Sequence, residues 1–168
     1  IAVVSYIIQI SLFKNTSVLN FTKLYGLFIL IVSAAIIDSK RRIIPNVLIV
    51  VGLVFRLLLY VYEILCVDNI VTTLKNDLIG FAIGFVFLAI ISLVTKGALG
   101  FGDVKLFGLI GITSGSLCTY STLFISLVIS TIVALFFIIF KKMGRKDSVP
   151  FGPSIAIGYV IVILLTGY

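Results

Sequence analysis

The chain has 168 residues, of which 61% are hydrophobic and 11% charged. Its mean hydropathy of +1.34 is far above that of soluble domains. This composition predicts an integral membrane protein, and no polar segment is long enough to form a separate soluble domain. The net charge of +7 is explained by basic cytoplasmic loops, and nucleic-acid binding is not expected because no basic stripe carries interleaved aromatic residues.

Histidine is absent, and the two cysteines, Cys66 and Cys118, lie far apart in the sequence. Ser/His proteases and HExxH zinc proteases need an imidazole, and a CxxC zinc site needs closely spaced thiols. The sequence therefore excludes these classes, and we expect neither a metal site nor a cofactor. Both cysteines are expected on the outer side of the membrane, where a disulfide is neither required nor excluded.

Apolar runs follow one another along most of the chain. Residues 1–13 are too short to cross about 30 Å of hydrocarbon at about 1.5 Å per residue. We therefore divide the chain into an N-terminal apolar segment with a polar connection, residues 1–23, and one transmembrane domain, residues 24–168. The domain is predicted to be an all-α, polytopic core of six helices, and residues 1–13 are left as a candidate additional helix. The six spans have the approximate bounds Leu24–Ile37, Asn46–Leu65, Leu78–Thr95, Val104–Ile112, Tyr120–Phe140 and Phe151–Leu165.

The fourth apolar run is shorter than the membrane is thick. It is followed by the patch Thr113-Ser114-Gly115-Ser116. Two interpretations stay open: the helix continues through this patch, or it begins inside the membrane. The polar segments at residues 66–77, 96–102 and 141–147 are predicted to be connecting loops.

Basic residues indicate the orientation of the spans. Alternate crossing places nine of the thirteen Lys and Arg residues on one side of the membrane, namely residues 40–42, Lys96, Lys105, Lys141, Lys142, Arg145 and Lys146. The positive-inside rule assigns that side to the cytoplasm. Asp38 and Asp103 then lie at the same cytoplasmic level, because an even number of crossings separates them.

Two neighbouring carboxyl groups can catalyse peptide hydrolysis without histidine or metal. Like-charge repulsion and partial burial keep one of them protonated, so that Asp38 and Asp103 together would supply an acid and a base. This is the chemistry of aspartic proteases. Gly100 and Gly102 suit the same role, because a backbone without Cβ atoms lets an extended substrate strand lie close to Asp103. A plainer interpretation of Asp103 is a helix N-cap after a tight turn, and Asp38 could pair with neighbouring arginines.

Three stretches of the sequence resemble the signature motifs of type IV prepilin peptidases, in the same order. They are Asp38-Ser-Lys-Arg-Arg-Ile-Ile-Pro45-Asn46, Gly100-Phe-Gly-Asp103-Val-Lys105-Leu and Pro150-Phe-Gly-Pro153. In that family the two aspartates form the catalytic dyad of a GxGD-type intramembrane aspartic protease, and the resemblance implies these roles for Asp38 and Asp103. It further implies cleavage of the short basic leader of a prepilin or pseudopilin, at the cytoplasmic face of the cell membrane.

Many members of that family also carry a methyltransferase domain with paired CxxC motifs. Those motifs are missing from this sequence. The resemblance is therefore to the short, peptidase-only form or to the peptidase core of a longer protein, and methyl transfer is not predicted. The particular prepilin, the pathway of pilus assembly, secretion or DNA uptake, and the oligomeric state are not determined by the sequence.

Other polar residues near the motifs receive weaker roles. Lys105 lies about 200° around a helix from Asp103, so it is predicted to face elsewhere, either contacting substrate or snorkelling to the surface. Pro45 and Asn46 are predicted to fix the break after the first span. Pro150, Gly152 and Pro153 are likewise interpreted as a rigid helix entry without a direct catalytic role.

Arg56 is a charge near the middle of a predicted span, about 15 Å deeper than Asn46. Intramembrane ionisable residues are costly and are usually paired or functional. A guanidinium beside the dyad would favour two ionised carboxylates, so we expect Arg56 to lie away from it, with Glu63 or Asp77 as a buried partner or with its head group at the surface.

Two other classes of function compete with the peptidase. A small transporter or channel subunit would use Asp38, Asp103 and Arg56 as a proton or cation path. A membrane assembly protein would use its aspartates only as helix caps. A protease needs both aspartates near one membrane face, whereas a transport path spreads ionisable residues through the membrane depth. The sequence favours the protease, because the runs Leu78–Thr95 and Tyr120–Phe140 contain no charge.

Overall fold

The computed structural model describes residues 18–66, 70–95, 99–140 and 150–166, and within these ranges it contains helices and no strands. Helix α1 is Val18–Arg41, α2 is Asn46–Cys66, α3 is Ile70–Phe81, α4 is Leu88–Val94, α5 is Phe101–Ile139 and α6 is Gly152–Thr166. A π-helical segment, Ala82–Phe87, joins α3 to α4. Residues 1–13 and the predicted loop at residues 141–147 lie outside the described residues.

Four helices are long and apolar enough to cross a membrane: α1, α2, the continuous helix formed by residues 70–94, and α5. Helix α6 is apolar but shorter. The chain is therefore a multi-pass, all-helical membrane protein, as the composition predicted. The predicted count of six membrane-spanning helices is not confirmed, because the fourth and fifth predicted spans both fall in the single helix α5.

Helix α5 contains one non-helical residue, Gly115, with φ 77° and ψ −176°. Of the two interpretations of the Thr113–Ser116 patch, continuation of the helix is only partly correct. The helix resumes after the patch, but its geometry is broken at Gly115. We call residues 101–114 the first half of α5 and residues 116–139 its second half.

The polar segment at residues 66–77 was predicted to be a loop, and this prediction is wrong from residue 70 onward. Helix α3 begins at Ile70 and carries Asn76 and Asp77 within it. Asp77 is buried and pairs with Arg56 of α2. A polar helical segment is tolerated in a membrane protein when its ionisable side chains are paired, and periodicity alone does not reveal that pairing.

Helix α5 is the element against which most others pack, with α3, the π-helical segment and α6 as its main neighbours. Close approach to α3 depends on a pair of glycines: a Cβ at Gly80 would lie 2.5 Å from the carbonyl oxygen of Gly111. Small residues at such crossings let membrane helices approach closely. The core between these helices includes Ile31, Phe107 and Tyr159, each fully buried.

Candidate active site

Asp38 lies in the last turn of α1, and its side chain is only 6% exposed. The helix ends three residues later because Arg42 adopts φ 53° and Pro45 disfavours helix in the residue before it. The Asp38 carboxylate accepts a hydrogen bond of 2.8 Å from the backbone N–H of Gly152. This N–H belongs to the first residue of α6, where helix amides are unpaired and the dipole favours an anion.

Gly152 therefore touches the carboxylate that the sequence singled out. A Cβ at this position would lie 2.9 Å from Asp38 Oδ2, so the close approach requires glycine. The sequence pattern predicts only a rigid helix entry at Gly152 and does not reveal this contact. The available signal was its place in the third motif stretch, Pro150-Phe-Gly-Pro153.

Asp103 lies in the first turn of α5, three residues after the N-cap residue Gly100. It is therefore not the N-cap, although an acidic residue in a first turn suits the helix dipole. The side chain folds back toward Gly100, where a Cβ would lie 2.9 Å from Asp103 Oδ2. The other carboxylate oxygen, Oδ1, is buried and has no hydrogen-bond partner among the described residues.

The two aspartates come together at one end of the helix bundle. They are close enough for the charge of Asp38 to act on Asp103. The connection between α1 and α2 packs closely on Gly102 beside this site, because a Cβ added at Gly102 would lie 3.0 Å from Ile44 Cβ. Two carboxyl groups from separate helices thus lie in the same region. The Gly152 N–H donates a hydrogen bond to one of them, that of Asp38.

Lys105 and Asn46 form a second polar contact at the same end of the bundle. Lys105 Nζ donates a hydrogen bond of 2.9 Å to Asn46 Oδ1 and lies 5.6 Å from the ring centroid of Phe101. Asn46 is the first residue of α2, and Pro45 starts that helix by accepting a hydrogen bond from the Leu48 N–H. As predicted, Lys105 turns away from Asp103 toward another partner.

An apolar groove of about 380 Å³ opens beside this contact, between α2, α3 with the π-helical segment, and the first half of α5. Lys105 and Asn46 supply its polar side chains. The remaining lining is Ile49, Val50, Leu53, Phe81, Phe85, Gly108 and Leu109.

Arg56 lies away from Asp38 and Asp103, as predicted, and is 1% exposed. It forms ion pairs with both candidate partners, Glu63 and Asp77, and Lys23 pairs with Glu63 as well. We call these four residues the buried ion-pair cluster. Within the described ranges, no group of three or more His, Cys, Asp or Glu side chains is placed to hold a metal ion.

Comparison with known proteins identifies the family of this helical membrane protein. A model of the type IV leader peptidase family matches residues 25–139. The chain belongs to that family.

Two curated relatives carry the same name, prepilin leader peptidase/N-methyltransferase. The protein from Bacillus subtilis (strain 168) is 29% identical over 138 residues, which cover 80% of this chain and 52% of the relative. The protein from Pseudomonas putida is 25% identical over 139 residues, covering 80% of this chain and 46% of the relative. The chain thus spans about half the length of these relatives. No solved structure matches it significantly.

Proposed function

We propose that this chain is an intramembrane aspartic endopeptidase that removes the short basic leader of type IV prepilins or pseudopilins. The observation that carries the proposal is the position of Asp38 and Asp103 within electrostatic range of each other at one end of the bundle, in a member of the type IV leader peptidase family. The two residues are far apart in the sequence and come from different helices. The names of the relatives support prepilin as the substrate class.

The chemistry follows from two carboxyl groups that share one proton. The ionised carboxylate accepts a proton from water as the water oxygen attacks the carbonyl carbon of the scissile peptide. The protonated carboxyl group donates its proton to the carbonyl oxygen, which gives a neutral tetrahedral intermediate. Collapse of that intermediate breaks the C–N bond: the carboxyl group that took the water proton gives it to the leaving nitrogen, and the other carboxylate takes a proton from a hydroxyl group of the intermediate, which restores the dyad. The products are a leader with a new C-terminal carboxylate and a mature chain with a new N-terminal amine.

The two aspartates differ in their hydrogen bonding, and this difference suggests different roles in catalysis. The Gly152 N–H donates a hydrogen bond to one oxygen of Asp38, whereas none of the residues that the structure describes is hydrogen-bonded to Asp103 Oδ1. A buried polar atom without a partner is costly, and such costs are concentrated at functional sites. Asp103 is therefore the better candidate to engage the water and the substrate carbonyl.

The apolar groove beside Asn46 and Lys105 gives the substrate's membrane helix a place to lie. Its lining is apolar except for those two residues. The substrate helix would enter sideways from the bilayer, and the peptide just before it would extend past Gly100 and Gly102 toward Asp103. Lys105 and Asn46 then support the substrate at the mouth of the groove without taking part in proton transfer.

The basic residues near the site support a cytoplasmic location. Lys40 and Arg41 lie in the last turn of α1, as Asp38 does. Lys105 lies at the same end of the bundle through its contact with Asn46. Positive charge at one end of the spans favours the cytoplasmic side, so we place the active site at the cytoplasmic face of the cell membrane.

A cleavage assay tests this function directly. The purified protein, reconstituted in liposomes, is incubated with a prepilin-like substrate that contains a basic leader and an apolar helix. We expect one cut at the junction of the two, which mass spectrometry of both products would locate. A folded protein that leaves several such substrates intact contradicts the proposal and favours the second candidate, a transporter, in which the buried cluster around Arg56 would belong to a proton or cation path.

A further inference from the structure

At the break in α5, side chains from other helices hydrogen-bond to two backbone groups that a regular helix would pair with each other. In a regular helix the N–H of Ser116 would bond the carbonyl of Ile112. The dihedral angles of Gly115 interrupt the helix between them. Instead, Arg56 Nε donates to the Ile112 carbonyl at 2.9 Å, and the Ser116 N–H donates to Asn76 Oδ1 at 3.2 Å.

The break is accommodated by residues suited to this geometry. Gly115 has φ 77°, in the left-handed region that favours glycine, and a side chain there would collide with Asn76. Asn76 also accepts a hydrogen bond of 2.6 Å from the Ser116 hydroxyl. It therefore acts as an N-cap for the second half of α5, although it belongs to α3. Side chains from two helices, α2 and α3, therefore hydrogen-bond to the break.

The guanidinium of Arg56 is fixed in place before it reaches Ile112. It pairs with Glu63 and Asp77 and stacks on the ring of Tyr60, with 3.8 Å from Cζ to the ring centroid. Buried ion pairs contribute little net stability, because desolvation offsets their attraction. Their best-attested use is to specify one arrangement among several, and here they direct one N–H of Arg56 at one carbonyl.

Contacts between α2 and the first half of α5 are in register along both helices. Asn46 meets Lys105 at one end, Gly52 meets Leu109 further along, and Arg56 meets Ile112 at the break. The two segments therefore run in parallel. Asp103 precedes Ile112 by nine residues, or about 14 Å of helix, so a fixed position of Ile112 against α2 sets the position of Asp103 at the other end.

We propose that Arg56 is a positioning residue: together with Asn76 it holds the break at Gly115 and thereby sets the depth at which the first half of α5 presents Asp103 to Asp38. The inference deepens the proposed function and rests on it for its catalytic consequence. The position of the first half of α5 itself does not depend on which reaction the site performs.

Arg56→Lys separates positioning from charge pairing. A lysine keeps a cation for Asp77 and Glu63 but lacks the second, directed N–H that reaches Ile112. We expect kcat for leader cleavage to fall by about 10- to 100-fold, because small displacements of a catalytic group have effects of this size, with KM within about two-fold of wild type. Lys23→Gln is the matched control: it removes the Lys23–Glu63 ion pair from the same cluster without changing Arg56 or either side of the break, and kcat should stay within about three-fold. Equal losses of kcat in the two variants would overturn the proposal.

The Asn76 side of the break gives a test that does not depend on the folding of an Arg56 variant. Asn76→Ala removes the acceptor for the Ser116 N–H, whereas Asn76→Asp retains it at an exposed position. We expect the alanine variant to lose kcat and the aspartate variant to recover most of it. If both retain wild-type kcat, the break does not position Asp103.

Cross-linking reports the position of the first half of α5 without any catalytic readout. Ile44→Cys and Gly102→Cys place two Cβ atoms 3.0 Å apart at the site end of the bundle, close to the range in which disulfides form. In a background with Cys66 and Cys118 replaced by serine, we expect Arg56→Lys to slow disulfide formation several-fold and Lys23→Gln to leave it unchanged. An unchanged rate in Arg56→Lys contradicts the inference. An altered rate in a protein whose wild type cleaves no prepilin supports the inference and contradicts the proposed function instead.

Discussion

Two groups of ionisable residues sit at different depths of the same bundle, and they differ in how well their charges are satisfied. In the buried ion-pair cluster every member faces an opposite charge, as Arg56 does with Glu63 and Asp77. At the other group, Asp38 receives one backbone N–H and Asp103 Oδ1 receives none from the described residues. The first arrangement suits a fixed structural joint. The second leaves hydrogen-bonding capacity for water and substrate.

The strongest test of this difference is to neutralise Asp38 and Asp103 one at a time. Asp38→Asn and Asp103→Asn should each reduce leader cleavage by about 1,000-fold or more, because each removes one of the two groups that exchange the proton. Stability should not fall, since each change also removes like-charge repulsion. The measurements are initial cleavage rates and thermal unfolding in detergent. A folded variant that cleaves at a near-normal rate would falsify the assignment of the dyad.

Removing a carboxylate from the buried ion-pair cluster should instead lower the free energy of unfolding. Asp77→Ala removes one of the two carboxylates that pair with the buried guanidinium of Arg56, and breaking a buried ion pair costs up to about 3–5 kcal/mol. Denaturant unfolding in detergent measures the loss. Lys75→Ala is the control, because Lys75 is exposed on the same helix and should change the free energy of unfolding by less than about 0.5 kcal/mol. Similar stabilities for the two variants would show that the cluster is not a structural joint.

The glycine contact between α3 and α5 should give a smaller, purely structural effect. A Cβ at Gly111 would meet the backbone of Gly80, which cannot move aside as a side chain can. Gly111→Ala should therefore lower the free energy of unfolding by about 1–3 kcal/mol. Gly52→Ala is the comparison, because its Cβ would meet only the Leu109 side chain, which can change rotamer. A smaller loss in Gly111→Ala than in Gly52→Ala contradicts this account.

The sequence was most informative where one local pattern determines the structure. Span α2 was predicted within one residue at its C-terminal end, because Pro45 marks its start and an uninterrupted apolar run follows. Arg56 was expected to find Glu63 or Asp77, and it pairs with both. Asp38 and Asp103 were expected at one level, and the structure brings them within electrostatic range. Their catalytic role stays a prediction.

The sequence was least informative where several helices share one polar group. The polar stretch before Leu78 was interpreted as a loop because its partner, Arg56, lies on another helix and leaves no local signal. The contact of Gly152 with Asp38 was missed for the same reason. The break at Gly115 was partly visible as a Ser/Gly patch, but its two stabilising side chains, Arg56 and Asn76, are remote in sequence.

Lys105 lies between the two extremes, since its charged group is half-buried and its hydrogen-bond partner is the neutral side chain of Asn46. A charge held this way adds little stability, and its position at the mouth of the apolar groove allows it to orient a substrate. Lys105→Gln should therefore raise KM by about two- to five-fold while kcat and the thermal midpoint stay near wild type.

The effect of Lys105 has to be separated from the general positive charge at that end of the bundle. Lys40→Gln removes an exposed charge from the same end without touching the groove, so its KM should match wild type at moderate salt, where exposed charges are screened. If Lys105→Gln and Lys40→Gln raise KM equally, Lys105 contributes only to the surface potential. If Lys105→Gln instead lowers kcat with KM unchanged, the side chain acts in the transition state, and the boundary between the dyad and its surroundings has to be moved to include it.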